Sequence, residues 1–412
     1  MRIQLLIILF LSNISFSQEL ENLITKATNG DLDSQFALAF KYYEANDVEQ
    51  DYKQAFYWFE KAALQNDVTS QFNLGRMYAE GEGVKENGIK AKEWYLKATE
   101  NNYCGAFNNL GLLYESGKLG EKNISEAISW YKKGIDNNCN DCKYALGTLY
   151  LNEETLTNRK VNALNWLEMA ANSGHTKAIK LLSIIYYMPE NYSEELHFKV
   201  DIKKAIHWNE KAALYNNKNA FRRLGLIYEY GYEKDESFSE DTEKANYFYK
   251  RAADLGDELS LYYCGLNILL GIGIEKDVNK GIELIKKSAE RGEVSAQLKL
   301  GELFYFGEVI GLDKKLAKEW FIKVLQNKIQ GYFALDLAEY YTELEQEGLA
   351  FEFYLISAEK GNPTSQYNIG LMYKDGVGTE VNIDKAKYWF KKAYENGDKD
   401  AKLRLAELNS RK

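Results

Sequence analysis

Several groups of residues in this chain have the types and spacing that chemistry uses. Ser129-Trp130-Tyr131-Lys132 has the Ser-x-x-Lys spacing of serine acyl-enzymes, but no Lys-Thr-Gly element accompanies it. Cys139-Asn140-Asp141-Cys142 has the spacing of a local disulfide or a redox pair. Redox catalysis of the thioredoxin kind needs a strand-helix-strand setting that the pattern lacks. A structural disulfide between Cys139 and Cys142, and free thiols, both remain open. His175, His197 and His207 have neither His-x-x-x-His spacing nor a cysteine partner, so no metal site is expected. Gly271-Ile272-Gly273 lacks a third glycine and a preceding strand, which leaves nucleotide binding unsupported. Glu233, Asp235, Glu236, Glu240 and Asp241 offer hard oxygen ligands, but without the mid-loop glycine of a calcium loop they read as a solvated segment.

Whatever positions these residues must be an ordered fold. Of the 412 residues 45% are hydrophobic and 14% aromatic, which excludes a disordered chain. Four cysteines are too few to staple a fold this long, so a hydrophobic core must hold it. The 52 basic residues against 61 acidic ones give a net charge of −9 with no basic patch, which argues against nucleic acid as a partner. By length alone the chain would form two or three domains, or one extended array.

The first 17 residues read as an address rather than as part of the fold. Met1 and Arg2 make a short basic start, Ile3 to Leu11 is apolar except for Gln4, and Ser15-Phe16-Ser17 supplies a small-x-small cleavage site. The run is shorter than the roughly 20 apolar residues of a membrane span. An exported protein without a membrane anchor is expected, in the periplasm or outside the cell of a bacterium.

The rest of the chain repeats itself. All seven tryptophans, Trp58, Trp94, Trp130, Trp166, Trp208, Trp320 and Trp389, fall on one ladder once Phe248, Leu284 and Phe353 are admitted as rungs. Its steps centre on 36 residues. Three residues before each rung, and four after it, stands a residue that is nearly always small, such as Ala91 and Ala98 around Trp94. This spacing predicts a helix with the rung aromatic on its packing face, filling the gap left by a close neighbour. Eight residues past the rungs stand Asn66, Asn102, Asn138, Gly174, Asn216, Gly256, Gly292, Gly361 and Gly397, with Lys328 the exception. Asn and Gly accept the left-handed conformation that ends a helix.

A second ladder precedes each rung and reads small-x-x-x-Leu-Gly-x-x-Tyr, as in Ala106, Leu110, Gly111 and Tyr114. Glycine inside a helix costs about 0.5–1 kcal/mol relative to alanine, so its recurrence implies a partner helix passing close by. Ala39, Gly147, Ser183, Gly265 and Gly301 fill the slot elsewhere, and in the ninth repeat either Asp336 or Ala338 does. The expected organisation is a lead-in at 18–32, about ten 36-residue helix pairs over 33–398, and a capping helix at 399–412. Because one pair cannot bury its apolar face alone, the pairs must stack.

On these residues the chain resembles the Sel-one-like repeat family, relatives of the tetratricopeptide repeats. The resemblance is carried by Leu74-Gly75 to Tyr78, Gly81-Glu82-Gly83-Val84 and Lys90-Ala91 to Ala98, and again by Ile369-Gly370 to Tyr373, Gly376-Val377-Gly378 and Lys385-Ala386 to Ala393. The 36-residue step and a chain with only Pro189 and Pro363 separate it from ordinary tetratricopeptide repeats. The resemblance implies an all-α, right-handed α/α superhelix that binds proteins rather than catalyses. Some members have been labelled β-lactamases or penicillin binders, which makes a cell-envelope hydrolase the alternative. Ser129, however, occupies the variable outward column of Tyr57, Glu93 and Asn165, and Cys142 the small-residue column of Ser70 and Ala106. Cysteine-rich members carry a bridge in each repeat, which four cysteines cannot supply. Insertions at 188–201 and 230–241 depart from the pattern.

In this family the first helix of each pair lines the concave side. Groove positions, two and three residues before the Gly slot, would then be Phe72, Asn73, Asn108, Asn109, Tyr144, Arg222, Arg223, Tyr262, Tyr263, Lys299, Tyr367 and Asn368. Amides can bond an extended peptide, rings give contact area, and arginines grip carboxylates. Packing between neighbouring repeats is the competing role. The expected protein is a monomeric adaptor or regulator with a protein or peptide ligand, no catalytic residues and no cofactor.

Overall fold

The computed structural model describes residues 18–188, 201–231, 239–307, 309–326 and 332–410. Among these residues every regular element is a helix. The leader at 1–17, His197, most of both insertions, Glu233, Asp235, Glu236 and Lys328 lie outside the described residues.

The chain divides into two compact units, up to Tyr215 and from Asn216 onward. In the first, α1 (18–28) leads into five pairs. These are α2 (Leu32–Glu44) with α3 (Tyr52–Leu64), α4 (Val68–Glu80) with α5 (Gly88–Thr99), α6 (Cys104–Ser116) with α7 (Ile124–Asp136), α8 (Asn140–Asn152) with α9 (Arg159–Asn172), and α10 (Thr176–Ile185) with α11 (Ile202–Ala213). The second unit pairs α12 (Lys218–Tyr230) with α13 (Thr242–Asp254), α14 (Glu258–Leu270) with α15 (Val278–Glu290), and α16 (Val294–Phe306) with α17 (Lys314–Gln326). It continues with α18 (Tyr332–Glu343) and α19 (Glu347–Glu359), then α20 (Pro363–Asp375) and α21 (Ile383–Glu395), and closes on α22 (Asp400–Ser410).

Helix ends follow from local chemistry. The stop residues Asn66, Asn102, Asn138, Asn216, Gly174, Gly256, Gly292, Gly361 and Gly397 all have positive φ, between 53° and 104°. Helix starts are fixed by a column that the ladders do not include. Asp51, Asn87, Asn123, Asp201, Asp241, Asp277, Asp313 and Asn382 each accept a bond from the backbone N–H three residues on, or in Asp51 also two. Such caps contribute about 1 kcal/mol each.

The rung tryptophans are not the residues that fill the gap at the Gly slot. Trp94, Trp130, Trp166 and Trp389 are half-buried, whereas the next residue in line, as at Phe59, Tyr95, Tyr131, Leu167, Tyr249, Ile285, Phe321 and Phe390, is fully buried. A Cβ added to Gly75 would stand 2.6 Å from the Tyr95 ring, and one on Gly370 would stand 2.7 Å from Phe390. Where Ser183 replaces the glycine, Asn209 replaces the aromatic and donates to the Ser183 carbonyl at 3.1 Å. In the ninth repeat Ala338 is buried and Asp336 exposed, so the alanine fills the slot. Trp94, Trp130, Trp166 and Trp389 instead sit at the edge of the core, while Trp58, Trp208 and Trp320 are buried. A lysine three residues on covers several of these rings: Lys97 is 3.9 Å from the Trp94 ring centre, Lys133 3.9 Å from that of Trp130 and Lys323 3.7 Å from that of Trp320.

Candidate functional site

Within each unit, first helices of successive pairs touch, α4 to α6 and α6 to α8 in one and α14 to α16 in the other, while second helices approach one another less closely. By these contacts the first helices form one side of each stack, its first-helix or inner side. The residues named for that side are buried or half-buried, and Phe72, Asn109, Tyr144, Arg222, Tyr263 and Tyr367 touch a neighbouring repeat.

Positions three before the Gly slot reach the cap of the next first helix. The Phe72 ring lies 4.9 Å from Tyr103, Tyr144 stacks 4.7 Å from His175, and Arg222 Nη1 meets Asp257 Oδ2 at 2.6 Å. Tyr367 packs on Phe390 and accepts a bond from Arg404 Nε at 3.3 Å. Positions two before the slot meet the buried aromatic column: Asn109 Nδ2 donates to the Tyr95 hydroxyl at 3.1 Å, and Tyr263 stacks on Tyr249 at 4.9 Å. Asn73 is buried and donates to the Thr69 carbonyl; Asn108 donates to Asn109 Oδ1 at 3.4 Å. Lys299 pairs with Glu302, which also accepts a bond from the Tyr341 hydroxyl. Tyr262 packs on Tyr263, and burial followed by the Glu302 carboxylate raises its phenol pKa. Arg223 and Asn368 are half-buried on the same side.

Asp257 shows how structural these contacts are. It is buried, caps α14 through Ser260 N at 2.8 Å and holds Arg222 with its other oxygen. Asp257→Ala is expected to cost about 2–4 kcal/mol in urea denaturation, from the lost cap and the unpaired guanidinium. Arg222→Gln should cost less, because it leaves the cap intact. A parent-like midpoint for Asp257→Ala would remove Arg222 from this packing role.

The cysteines pair differently from the local alternative. Cys139, at the N-cap of α8, is bonded to Cys104, the first residue of α6, with Cα atoms 5.2 Å apart. Cys142 is a free, buried thiol that packs against Gly134 of α7. Burial, with the Asp141 carboxylate beside it, pushes that thiol up to about 12; burial does the same to Cys264. Neither thiol has the low pKa of a nucleophile. His175 accepts from Ala178 N through Nδ1 and so presents Nε2–H to Asp141 at 3.0 Å, the geometry of a helix cap. His207 is exposed beside Trp208. Ser129 is half-buried in the middle of α7 and Lys132 is exposed, with no hydrogen bond between them among the described residues. Glu240 is exposed, and Asp241 caps α13 and pairs with Lys244.

An open cleft lies between α4 and α6 in the first unit. It has a volume of about 540 Å³ and is bordered by Arg76, Ala79 and Glu80 of α4, Tyr95 of α5, and Asn109, Leu112, Leu113 and Glu115 of α6, with Lys118 and Lys122 beyond. Sequence reasoning named only Asn109 among these; Arg76 follows the Gly75 slot directly, at a position where Leu112, Leu226, Leu266 and Leu371 stand in other repeats.

Stacked helix pairs with a glycine-aromatic crossing and an inner side lined by first helices define an all-α solenoid of helical repeats. The Sel1 repeat model matches ten segments, 32–67, 68–103, 107–139, 141–175, 193–214, 222–257, 259–293, 294–323, 342–362 and 363–398, and the chain belongs to the Sel1 repeat family. A protective antigen present in uropathogenic Escherichia coli strains, displaying an SLR fold, is similar at 25% identity with a TM-score of 0.60, over 94% of this chain and 82% of that one. The chain is 24% identical to the chitin synthase regulator SKT5 of Saccharomyces cerevisiae, over 55% of this chain and 39% of that protein. It is 29% identical to the ERAD-associated E3 ubiquitin-protein ligase component HRD3B of Arabidopsis thaliana, over 26% of this chain and 17% of that protein. The chain thus spans about two fifths or less of the length of these two curated relatives. Among the described residues no helix is long and apolar enough to cross a membrane.

Proposed function

We propose that this chain is an exported, non-catalytic scaffold that acts as an adaptor or regulator by holding a protein or peptide on the inner side of its helix pairs. The observation that carries the reading is the cleft of about 540 Å³ between α4 and α6, where Arg76, Leu112 and Lys122 border open space beside the core residues Ala79, Tyr95 and Leu113. The naming of one relative as a regulator and of another as a ligase component supports a role in organising other proteins. The Cys104–Cys139 disulfide supports an oxidising location such as the periplasm or the cell exterior.

The test is site-specific photo-crosslinking in the native cell, with the photoreactive residue at Leu112 on the inner side or at Val161 of α9, both exposed. One defined protein adduct from Leu112 and none from Val161 is the expected result. The same adducts from both positions would overturn binding at the inner side. Turnover of nitrocefin by the purified chain, abolished in Ser129→Ala, would replace the scaffold with the hydrolase.

A further inference from the structure

We infer that the cleft between α4 and α6 recognises an acidic side chain, Asp or Glu, flanked by aliphatic residues in an extended segment of the partner protein. The inference rests on the binding role proposed above and gives the partner its chemistry.

Two hydrogen-bond donors border the cleft without an acceptor to match. Arg76 lies with its guanidinium 4.6 Å from the centre of the Tyr43 ring, and its Nε is buried with no hydrogen-bond partner. The Tyr95 hydroxyl accepts from Asn109 Nδ2, which leaves its own proton to donate. Burial raises the phenol pKa, so that proton stays in place. The remaining charges are largely committed. Lys118 donates to the Ala79 carbonyl at 2.6 Å and pairs with Glu80 at 3.1 Å and Glu86 at 3.5 Å. Glu115 accepts the Tyr131 hydroxyl at 2.6 Å.

Three cations, Arg76, Lys118 and Lys122, border the cleft with two carboxylates, Glu80 and Glu115; Lys118 is held by Glu80 and Glu86 and Glu115 by Tyr131, which leaves the Arg76 guanidinium as the charge with an unmatched donor. A carboxylate is the group that accepts from a guanidinium and a phenol together. Ala79, Leu112 and Leu113 supply the apolar border, which an aliphatic neighbour of the acidic residue would cover. A neutral amide would leave the guanidinium without its counter-charge.

Fluorescein-labelled hexapeptides of sequence Ser-Leu-Glu-Leu-Glu-Ser, amidated at the C-terminus, and their Gln-for-Glu counterparts test this by fluorescence anisotropy on the full chain. Binding of the Glu peptide about tenfold tighter than the Gln peptide, weakening as salt is raised, is expected. Arg76→Gln should abolish the preference and Tyr95→Phe should reduce it about threefold. Circular dichroism identifies a misfolded variant; if Arg76→Gln fails to fold, Arg76→Lys, which keeps the charge and loses the fork, should retain a smaller preference. Equal binding of the two peptides overturns the inference, as does a preference that survives in folded Arg76→Gln. A Gln peptide with a free C-terminal carboxylate that binds as well as the amidated Glu peptide overturns the side-chain assignment. Loss of acid preference alongside a Leu112 adduct would leave the scaffold reading standing, and an acid preference without any adduct would do the reverse.

Discussion

Gly370→Val is expected to destabilise the second unit by about 2–3 kcal/mol, because the new side chain would occupy space held by the Phe390 ring. A Cβ alone at Gly370 would lie 2.7 Å from Cδ1 and Cε1 of Phe390 and 3.0 Å from Cζ. Phe390 is fully buried and sits between Ala386 and Ala393, which share its face and are themselves buried, so the ring has nowhere to retreat. The helix-propensity gain on leaving glycine, at most about 0.5–1 kcal/mol, does not offset this. Phe390→Ala alone should cost about 3–5 kcal/mol through the cavity it opens. In the double variant the valine enters part of that cavity, and the combined loss should fall short of the sum by at least about 1.5 kcal/mol. Urea denaturation followed by tryptophan fluorescence measures all three, with Trp389 next to the site. Strict additivity would mean that the pair is not in the contact described.

This contact also marks where sequence reasoning succeeded and where it went astray. The glycine slot was legible because one residue type recurs at a cost to the helix, and the stop column because only Asn and Gly accept positive φ readily. The buried column opposite the glycine was missed because it is strict in burial and loose in type, passing through Phe59, Tyr95, Leu167, Asn209 and Ile285. Tryptophan drew attention instead. Ala91, Tyr95 and Ala98, spaced four and three, share the packing face, and Trp94 flanks it, leaving one side of its ring for Lys97. The capping column seven residues before the rungs was available in the sequence, since Asp51, Asn87, Asn123, Asp201, Asp241, Asp277, Asp313 and Asn382 all carry capping side chains.

The residues named for the inner side lie on first helices, but the use each is put to was not readable. Position three before the slot is within reach of the next repeat's cap, and what stands there decides whether it packs, as Phe72 and Tyr144 do, or pairs, as Arg222 does. Arg76 escaped notice because its role depends on the Tyr43 ring of one repeat and the Tyr95 hydroxyl of another, a juxtaposition created only by stacking.

Cys139→Ser should lower the stability of the first unit by about 3–4 kcal/mol. The disulfide closes a loop with a sequence separation of 35, and the loop-closure entropy removed from the unfolded chain is of that size. Cys104→Ser should cost the same, and reduction should reproduce the loss in the parent while leaving both variants unchanged. Cys142→Ala removes one small buried side chain and should cost about 1 kcal/mol. The local alternative predicts another pattern: a Cys139–Cys142 bridge would close a loop of about four residues, contribute about 2 kcal/mol, and make Cys104→Ser nearly silent. Peptide mapping without reductant, finding Cys104 joined to Cys139, and the ordering of the three variants decide between them. A loss of 3–4 kcal/mol multiplies the unfolded population by several hundred, enough to make the first unit depend on the redox state of its surroundings. An oxidising location would then be a condition of stability for the unit that holds the Arg76 cleft.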